Sequence, residues 1–482
     1  MYQRTHTGHS VLLNRGGWAV LGVLLGGMLA PAHAEYGFTS AATLNTNAGS
    51  DSGIDYWPFI ATDGSGNWVT VWYSGESLGG TVGTDWDILF ARSTDNGATW
   101  SAPAALNSNA ASDSGSDINP HVKYDGAGNW IAVWSSNDSL GGTTGTDDDI
   151  LFARSTDGGA TWSPPAPLNS SASTDESFEE DIDPDIAPDG AGNWIAVWSS
   201  TNDLDATVGA DEDIFFARST DNGATWTALT CLNDYASYDG KDDRSPRIAT
   251  DGAGNWVVTW ESRVDNGVYG TDWDIFFSRS TDNGATWTTS APLNSNATTD
   301  SGADEKPMLE TDGSGNWIAI WSSTDSLGST IGTDYDILFA RSTDNGATWT
   351  APTALNTSAP TDSSDFDYSP RIAPDGMGNW MAVWQSTNTL GTKIDIDRDI
   401  LAARSTDNGI TWTAPAPVSA NATTDSGSDQ YPAIATDGTG NWVVTWHSNE
   451  TFSGFLGTDN DIFVSRSSNI SLPVELDTFT VQ

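Results

Sequence analysis

Seven times along this chain, two aspartates stand one residue apart, just ahead of an apolar run. The pairs are Asp85/Asp87, Asp147/Asp149, Asp211/Asp213, Asp272/Asp274, Asp334/Asp336, Asp397/Asp399 and Asp459/Asp461. Carboxylates gathered in loops are donors for hard cations, and calcium takes about six to eight oxygens in forgiving geometry. A second set lies three residues before a recurring proline: Asp55, Asp117, Asp181, Asp243, Asp304, Asp367 and Asp429. A third comprises Asp51, Asp113, Asp175, Asp239, Asp300, Asp362 and Asp425. The Asp-x-Asp pairs are the metal candidates, with calcium as the expected ion. Loop aspartates also cap turns through side-chain to backbone bonds, and that structural reading stands beside the metal one. Histidine is too sparse for a transition-metal site.

Ligand chemistry is sought where the copies differ. The longest departures fall at 175–183, 235–247, 263–273 and 393–398. Two of them bring Lys241, Arg244, Arg247, Glu261, Arg263, Tyr269 and Trp273 toward one region. Trp57, Trp86, Tyr335, Tyr368 and Tyr431 add aromatic faces in loops. Aromatic rings beside charged groups can stack on sugars and bind their hydroxyls, so Arg244, Arg247, Glu261, Arg263, Tyr269, Trp273, Trp57 and Trp86 are the candidate ligand-binding residues. The same residues also serve as ordinary loop packing.

The elements that would position these groups follow from a repeat. Ser-Thr-Asp-Asn-Gly-Ala-Thr-Trp recurs with small changes from Ser93, Ser155, Ser219, Ser280, Ser342 and Ser405. Asp-Gly-x-Gly-Asn-Trp begins at Asp63, Asp125, Asp189, Asp251, Asp312, Asp375 and Asp437, a period of 61–64 residues. A fixed period of this size marks a repeat architecture. Each unit holds four short β-type segments, A to D. In the second unit these are 120–124, 130–134, 150–155 and 162–169, joined by tight Gly-containing turns. Both faces of segment B are apolar, as in sheets stacked between neighbours. The expected fold is all-β: a seven-bladed β-propeller of four-stranded antiparallel blades.

The last unit ends before its D segment, but 38–45 aligns with 100–107. The N-terminal strand is therefore expected to complete the last blade. The A–B and C–D turns then share one face. The D–A and B–C loops share the other, where the three aspartate sets would place 28 carboxylates. Twenty of the 24 Trp residues occupy repeated slots and are expected in the core. The strand-C arginines, from Arg92 to Arg466, are expected to pair with turn carboxylates.

The chain has 482 residues, 18 basic against 65 acidic, net −47. Such a surface repels phosphate backbones and argues against nucleic acid. Residues 1–34 read as a secretory signal peptide, with Arg4 and Arg15 before an apolar stretch and Ala32-His33-Ala34 at its end. The expected organisation is a signal peptide at 1–34, a propeller at 35–468 and a tail at 469–482. The expected location is extracellular, periplasmic or cell-surface, with no membrane span and a monomeric state. Cys231 stands alone and reads as a buried filler.

The Ser-x-Asp-x-Gly-x-x-Trp box resembles the Asp-box, or BNR, repeat of secreted propellers in the sialidase superfamily, over nearly all of 36–468. The resemblance implies the propeller and makes the box a structural turn. Catalytic members use an arginine triad, a tyrosine nucleophile with a glutamate partner, and an acid/base aspartate. The positions here that answer to parts of that set are Arg247 and Arg371, each just after a strand-A proline, with Arg263 and Glu261 beside them. Three functions are therefore carried forward. The first is a module binding glycan or extracellular protein, with calcium on an acidic face. The second is an exo-acting glycoside hydrolase of sialidase type, and the third a structural surface protein.

Overall fold

The computed structural model describes residues 37–467, apart from 170–171, 173–178, 205–206, 238–239, 265–267, 363–364, 392–393, 395–396 and 425. The expected leader and tail lie outside the described residues, as do Asp175, Asp239, Asp425 and Lys393. Seven antiparallel sheets of four strands follow one another along the chain. In the second, strand A is Asp117–Tyr124, B is Trp130–Ser136, C is Asp149–Ser155 and D is Ala166–Pro167. The seventh contains Asp429–Thr436, Trp442–Ser448 and Asp461–Ser467, and Ala42–Thr43 from the N-terminal end completes it. Ala42 pairs with Val464 and Thr43 with Phe463, and a further bridge joins Phe38 to Ser467. The expected ring closure is present.

Strand B fills the ring because its alternate residues face opposite neighbours. Trp130, Ala132 and Trp134 pack on Val69, Val71 and Phe90 of the first blade. Ile131 and Val133 pack on Trp194 and Trp198 of the third. The fourteen strand-B tryptophans are at most 1% exposed. Each removes roughly 200 Å² from water, worth about 5 kcal/mol at 25 cal/mol per Å². The six box tryptophans depart from the core expectation: they are half-buried and seal one blade against the one before it. Trp162 of the second blade meets Phe90 of the first edge-on, with ring centroids 6.1 Å apart.

The box itself is a turn, as expected. Asp157 accepts the Thr161 N–H (3.0 Å), the Thr161 hydroxyl (2.7 Å) and the Ser155 hydroxyl (2.8 Å). These bonds hold its carboxyl down at about 2. Gly159 has φ +74°, and a Cβ there would sit 2.5 Å from Val69 Cγ2 of the first blade.

Three details differ from the sequence expectation. Strand D spans two residues in every blade, with prolines nearby or without them, as at Thr230–Cys231. Three strand-C arginines bond to carbonyl oxygens rather than carboxylates: Arg92 Nε donates to Gly158 O (2.8 Å), Arg279 Nε to Asn345 O (2.5 Å) and Arg341 Nε to Asn408 O (2.7 Å), each in the next blade's box. Arg404 Nη2 reaches the amide oxygen of Asn379 (2.8 Å). Cys231 is half-buried at an outer strand, its thiol 3.2 Å from Asn233 Oδ1.

One buried polar motif joins every pair of blades except the sixth and seventh. At the end of the first blade, Asn107 Nδ2 donates to Asp87 Oδ1 of the same blade (2.8 Å) and to Asp117 Oδ2 of the next (2.6 Å). Its Oδ1 accepts the Ile88 N–H at 3.1 Å. Asn169, Asn233, Asn294 and Asn356 repeat the bridge. Asn45 makes it at the closure, to Asp461 Oδ1 (2.7 Å) and Asp55 Oδ2 (2.9 Å). Ser419 stands in its place after the sixth blade. Asp117 also accepts the Trp134 indole N–H at 3.0 Å, and burial pushes its carboxyl well above the usual range.

Asn107→Ala strands two buried carboxylates and should cost about 1–3 kcal/mol for each. Asn45→Ala should cost a similar amount in urea unfolding, although it lies at the chain's N-terminal end. A negligible loss for Asn45→Ala beside a large one for Asn107→Ala would contradict closure by this bridge.

Candidate functional site

The site begins with a backbone irregularity repeated in every blade. Strand A opens on the bridging aspartate, and two residues later comes a residue followed by proline. Proline cannot donate to the ladder, so the register slips there in all seven sheets. The residue before it adopts a left-handed conformation: Trp57, Asn119, Asp183, Ser245, Lys306, Ser369 and Tyr431 have φ between 48° and 54°. None is glycine, so each stores about 1–2 kcal/mol of strain.

Neighbouring blades hold these residues. In four of the seven, the freed N–H donates to the penultimate residue of the preceding strand B. Trp57 donates to His447 Nδ1 (3.3 Å), Lys306 to Glu261 Oε2 (2.8 Å), Ser369 to Ser322 Oγ (3.1 Å) and Tyr431 to Gln385 Oε1 (3.0 Å). All seven left-handed residues line one pocket at the mouth of the central channel. The repeat therefore presents six kinds of side chain at seven positions from one backbone device.

The residue after each proline forms the next tier. Phe59, His121, Arg247 and Arg371 reach the same pocket. Arg247 and Arg371 come from the fourth and sixth blades, but strand A is innermost, so non-adjacent blades meet. Arg247 Nε and Arg371 Nε are buried with no hydrogen-bond acceptor among the described residues. Burial, and then Arg247, pushes Arg371 down to about 9. Asp185, in the same tier, takes the Ile248 N–H (3.0 Å) and lies 2.9 Å from His121 Nδ1. Burial lowers His121 to about 4, so this contact is a neutral imidazole donating from Nδ1 to a carboxylate. Burial opposes the Asp185 charge, but His121, Lys123 and Arg247 hold it below its ordinary value. Deeper still, Lys123 and Glu310 pair across the channel at 3.1 Å.

Glu261 is buried beneath the ring, accepting the Ser245 hydroxyl (3.2 Å) as well as the Lys306 N–H. That arrangement makes it a positioning group. Tyr368, which lines the pocket, donates to Glu305 Oε2 (2.9 Å), and Tyr335 reaches the same oxygen (3.2 Å). Burial, then Glu305, pushes the Tyr368 phenol far above its ordinary value.

The remaining ligand candidates lie elsewhere. Arg244 forks onto Glu212 (2.7 and 3.0 Å) and reaches Asp242 (2.9 Å). Arg263 also meets Asp242 (3.3 Å) and stacks 4.4 Å over the Trp273 ring. Tyr269 packs edge-on against Phe276, and Trp86 packs edge-on against Tyr73 and tilted against Tyr56.

The expected carboxylate-lined mouth is corrected: Asp183 is the sole acid lining this pocket among the described residues. The Asp-x-Asp pairs sit at the blade junctions instead. Their second members open strand C and are buried rather than displayed on a face: Asp149 and Asp213 are 1% exposed and Asp399 is 2% exposed. Asn169 Nδ2 donates to Asp149 Oδ1 (2.9 Å) and Asn233 Nδ2 to Asp213 Oδ1 (2.6 Å), so these carboxylates serve the bridge between blades. Asp399 has the same place in the sixth blade, where Ser419 replaces the asparagine. The metal expectation is untested for three of the pairs, whose loop aspartates Asp175, Asp239 and Asp425 lie outside the described residues. Asp147/Asp149, Asp211/Asp213 and Asp397/Asp399 fall in no group of three acids among the described residues, whereas the other four pairs do.

Sequence reasoning passed over Asn119, His121, Asp183, Asp185, Ser245, Lys306 and Ser369. Aligning the units on the strand-A proline would have found them.

A family model described as a BNR repeat-like domain matches residues 57–242. The matched repeats, those of the first three blades, are BNR repeats. No curated protein matches the chain. Among solved structures, the BNR propeller is similar to the Hadza microbial sialidase Hz136 at 15% identity and a TM-score of 0.46, covering 86% of this chain and 66% of that one. It thus spans under two thirds of that protein's length. A Dyadobacter fermentans protein of unknown function gives 17% identity and 0.45, over 73% and 94% of the two chains. The Fusarium graminearum α-L-arabinofuranosidase with arabinobiose gives 13% and 0.44, over 73% and 92%.

Burial also lowers His447, from 6.5 to about 3. The unfolded chain therefore takes up this proton as pH falls below 6.5, while the folded one does so only near 3. Stability is full above 6.5 and declines on acidification through that window. Between pH 8 and 5 the wild type should lose about 2 kcal/mol more than His447→Gln, whose amide keeps an acceptor for Trp57. Equal losses in denaturant titrations at the two pH values would contradict a neutral buried His447.

Proposed function

We propose that this BNR propeller is an exported binding module that holds a carboxylate-bearing glycan at the channel mouth. One observation carries the reading: Arg247 and Arg371 reach the pocket that the seven strained residues encircle, each with a buried Nε–H lacking a partner among the described residues. Guanidinium forks match carboxylates, and a buried donor left unpaired costs about 1–3 kcal/mol that an acceptor ligand would recover. Trp57 and Tyr431, with ring centroids 4.9 Å apart, offer faces for a sugar ring at the same mouth. Strain fixed by neighbouring blades holds the ring ready before ligand arrives. The leader-like sequence at 1–34 supports export. An extracellular protein presenting an acidic side chain is the other partner of matching chemistry.

A second reading, an exo-acting glycoside hydrolase, is favoured by the Tyr368–Glu305 hydrogen bond beside the two arginines. The raised Tyr368 phenol makes it a donor rather than a ready nucleophile.

A glycan array and calorimetry on the mature chain test both. Acidic glycans should bind and neutral ones should not, and Arg371→Ala should weaken binding by about tenfold or more. Fluorogenic glycosides should give no turnover. Loss of acid selectivity would overturn the binding reading, and turnover that disappears in Tyr368→Phe would establish the hydrolase.

A further inference from the structure

We infer that the blade junctions on the channel-mouth side are calcium sites, each built from an Asp-x-Asp pair of one blade and an aspartate of the following D–A loop. After the first blade, single oxygens of Asp85, Asp87 and Asp113 lie within 4.8 Å of one another. The same grouping recurs in Asp272, Asp274 and Asp300, in Asp334, Asp336 and Asp362, and in Asp51, Asp459 and Asp461. That spacing brings three carboxylates within reach of one ion, since calcium–oxygen contacts run about 2.3–2.6 Å.

Grouped acids alone do not make a site; buried oxygens without donors point to a ligand. Asp87 is 0% exposed. Its Oδ1 takes the Asn107 bridge, while its Oδ2 has no partner among the described residues. Asp336 and Asp461 are 1% exposed and repeat this one-sided pairing, while in the Asp274 group the buried oxygens without a partner among the described residues are Asp272 Oδ2 and Asp300 Oδ1. Asp85 Oδ2 and Asp113 Oδ1 are buried and unpartnered in the same way. Asn109 supplies a fourth oxygen. Its amide N–H groups go to Asp113 Oδ2 (2.5 Å) and Asp138 Oδ2 (2.6 Å), which fixes the amide and leaves a buried Oδ1 with no donor. Asn296 does the same with Asp300 (2.5 Å) and Asp325 (2.7 Å), and Asn47 with Asp51 (2.6 Å). A pocket of acceptors without donors is satisfied by a cation. All-oxygen donors and three carboxylates select calcium over softer metals. At the second, third and sixth blades the corresponding loop aspartates, Asp175, Asp239 and Asp425, lie outside the described residues. The inference is therefore confined to the four complete groups.

The ion would act as a staple between blades, at a place separate from the channel-mouth pocket. The test uses the mature chain stripped with chelator. Calorimetry with calcium chloride should count at least four ions per chain, and the melting temperature should rise by several degrees. Terbium, a calcium mimic, should emit on tryptophan excitation, since Trp86 and Trp273 adjoin Asp85 and Asp272. The near-isosteric double variant Asp85→Asn with Asp113→Asn should bind one ion fewer. Fewer than four ions, an unchanged count in that variant, or an equal thermal shift from sodium chloride at matched ionic strength would overturn the inference.

Discussion

The structure depends on one buried interaction, the amide of an outer-strand asparagine held between two carboxylates of adjacent blades. Asn107 between Asp87 and Asp117 is its type. Apolar packing between blades is larger in total but has no direction, and it would tolerate slippage of one sheet over the next. The asparagine removes that freedom. Its geometry ties the start of strand C, the end of strand D and the start of the next strand A to one point. Because those carboxylates are buried, any register that lost the amide would leave them unpaired at a cost of about 1–3 kcal/mol each.

Anchoring the start of strand A also sets the positions of its later residues. The bridging aspartate is the first residue of the strand, the left-handed residue is the third, and the channel tier begins after the proline. Strain in these non-glycine residues is sustained by the bridge two residues away in six blades and, at Trp57, Lys306, Ser369 and Tyr431, by an acceptor for the freed N–H on the preceding blade. The scaffold is thus repeated where it must be rigid and varied where it faces the channel. Trp57, Asn119, Asp183, Ser245, Lys306, Ser369 and Tyr431 occupy equivalent backbone positions with six chemically distinct side chains.

Much of this was legible in the sequence, and the remainder was hidden for physical reasons. The seven blades, the completing N-terminal strand and the box turn follow from local patterns that repeat. Strand D was read too long because its alternation does not show how far the segment pairs with strand C, which is two residues in every blade. The asparagine bridge went unrecognised because Asn107 and Asp117 act together only through the junction between blades. The arginines of strand C were paired with carboxylates on charge alone, whereas Arg92 reaches a backbone carbonyl in the next turn. Arg247 and Arg371 were visible as residues, but their convergence depends on strand A being innermost. The aspartates were visible too. Their allocation to blade junctions rather than the mouth needed three dimensions, and so did the burial of Asp213 and Asp399 at the start of strand C.

Hydrogen exchange across the closure is the most direct test of a ring sealed by asparagine. The Ile462 N–H donates to Asn45 Oδ1 as the Ile88 N–H does to Asn107 Oδ1, both at 3.1 Å. If the bridge closes the ring, peptides covering 42–45 and 461–467 should be protected as strongly as 104–107 and 87–93. Fast exchange of the first pair beside slow exchange of the second would show an open ring and contradict the bridge as its seal.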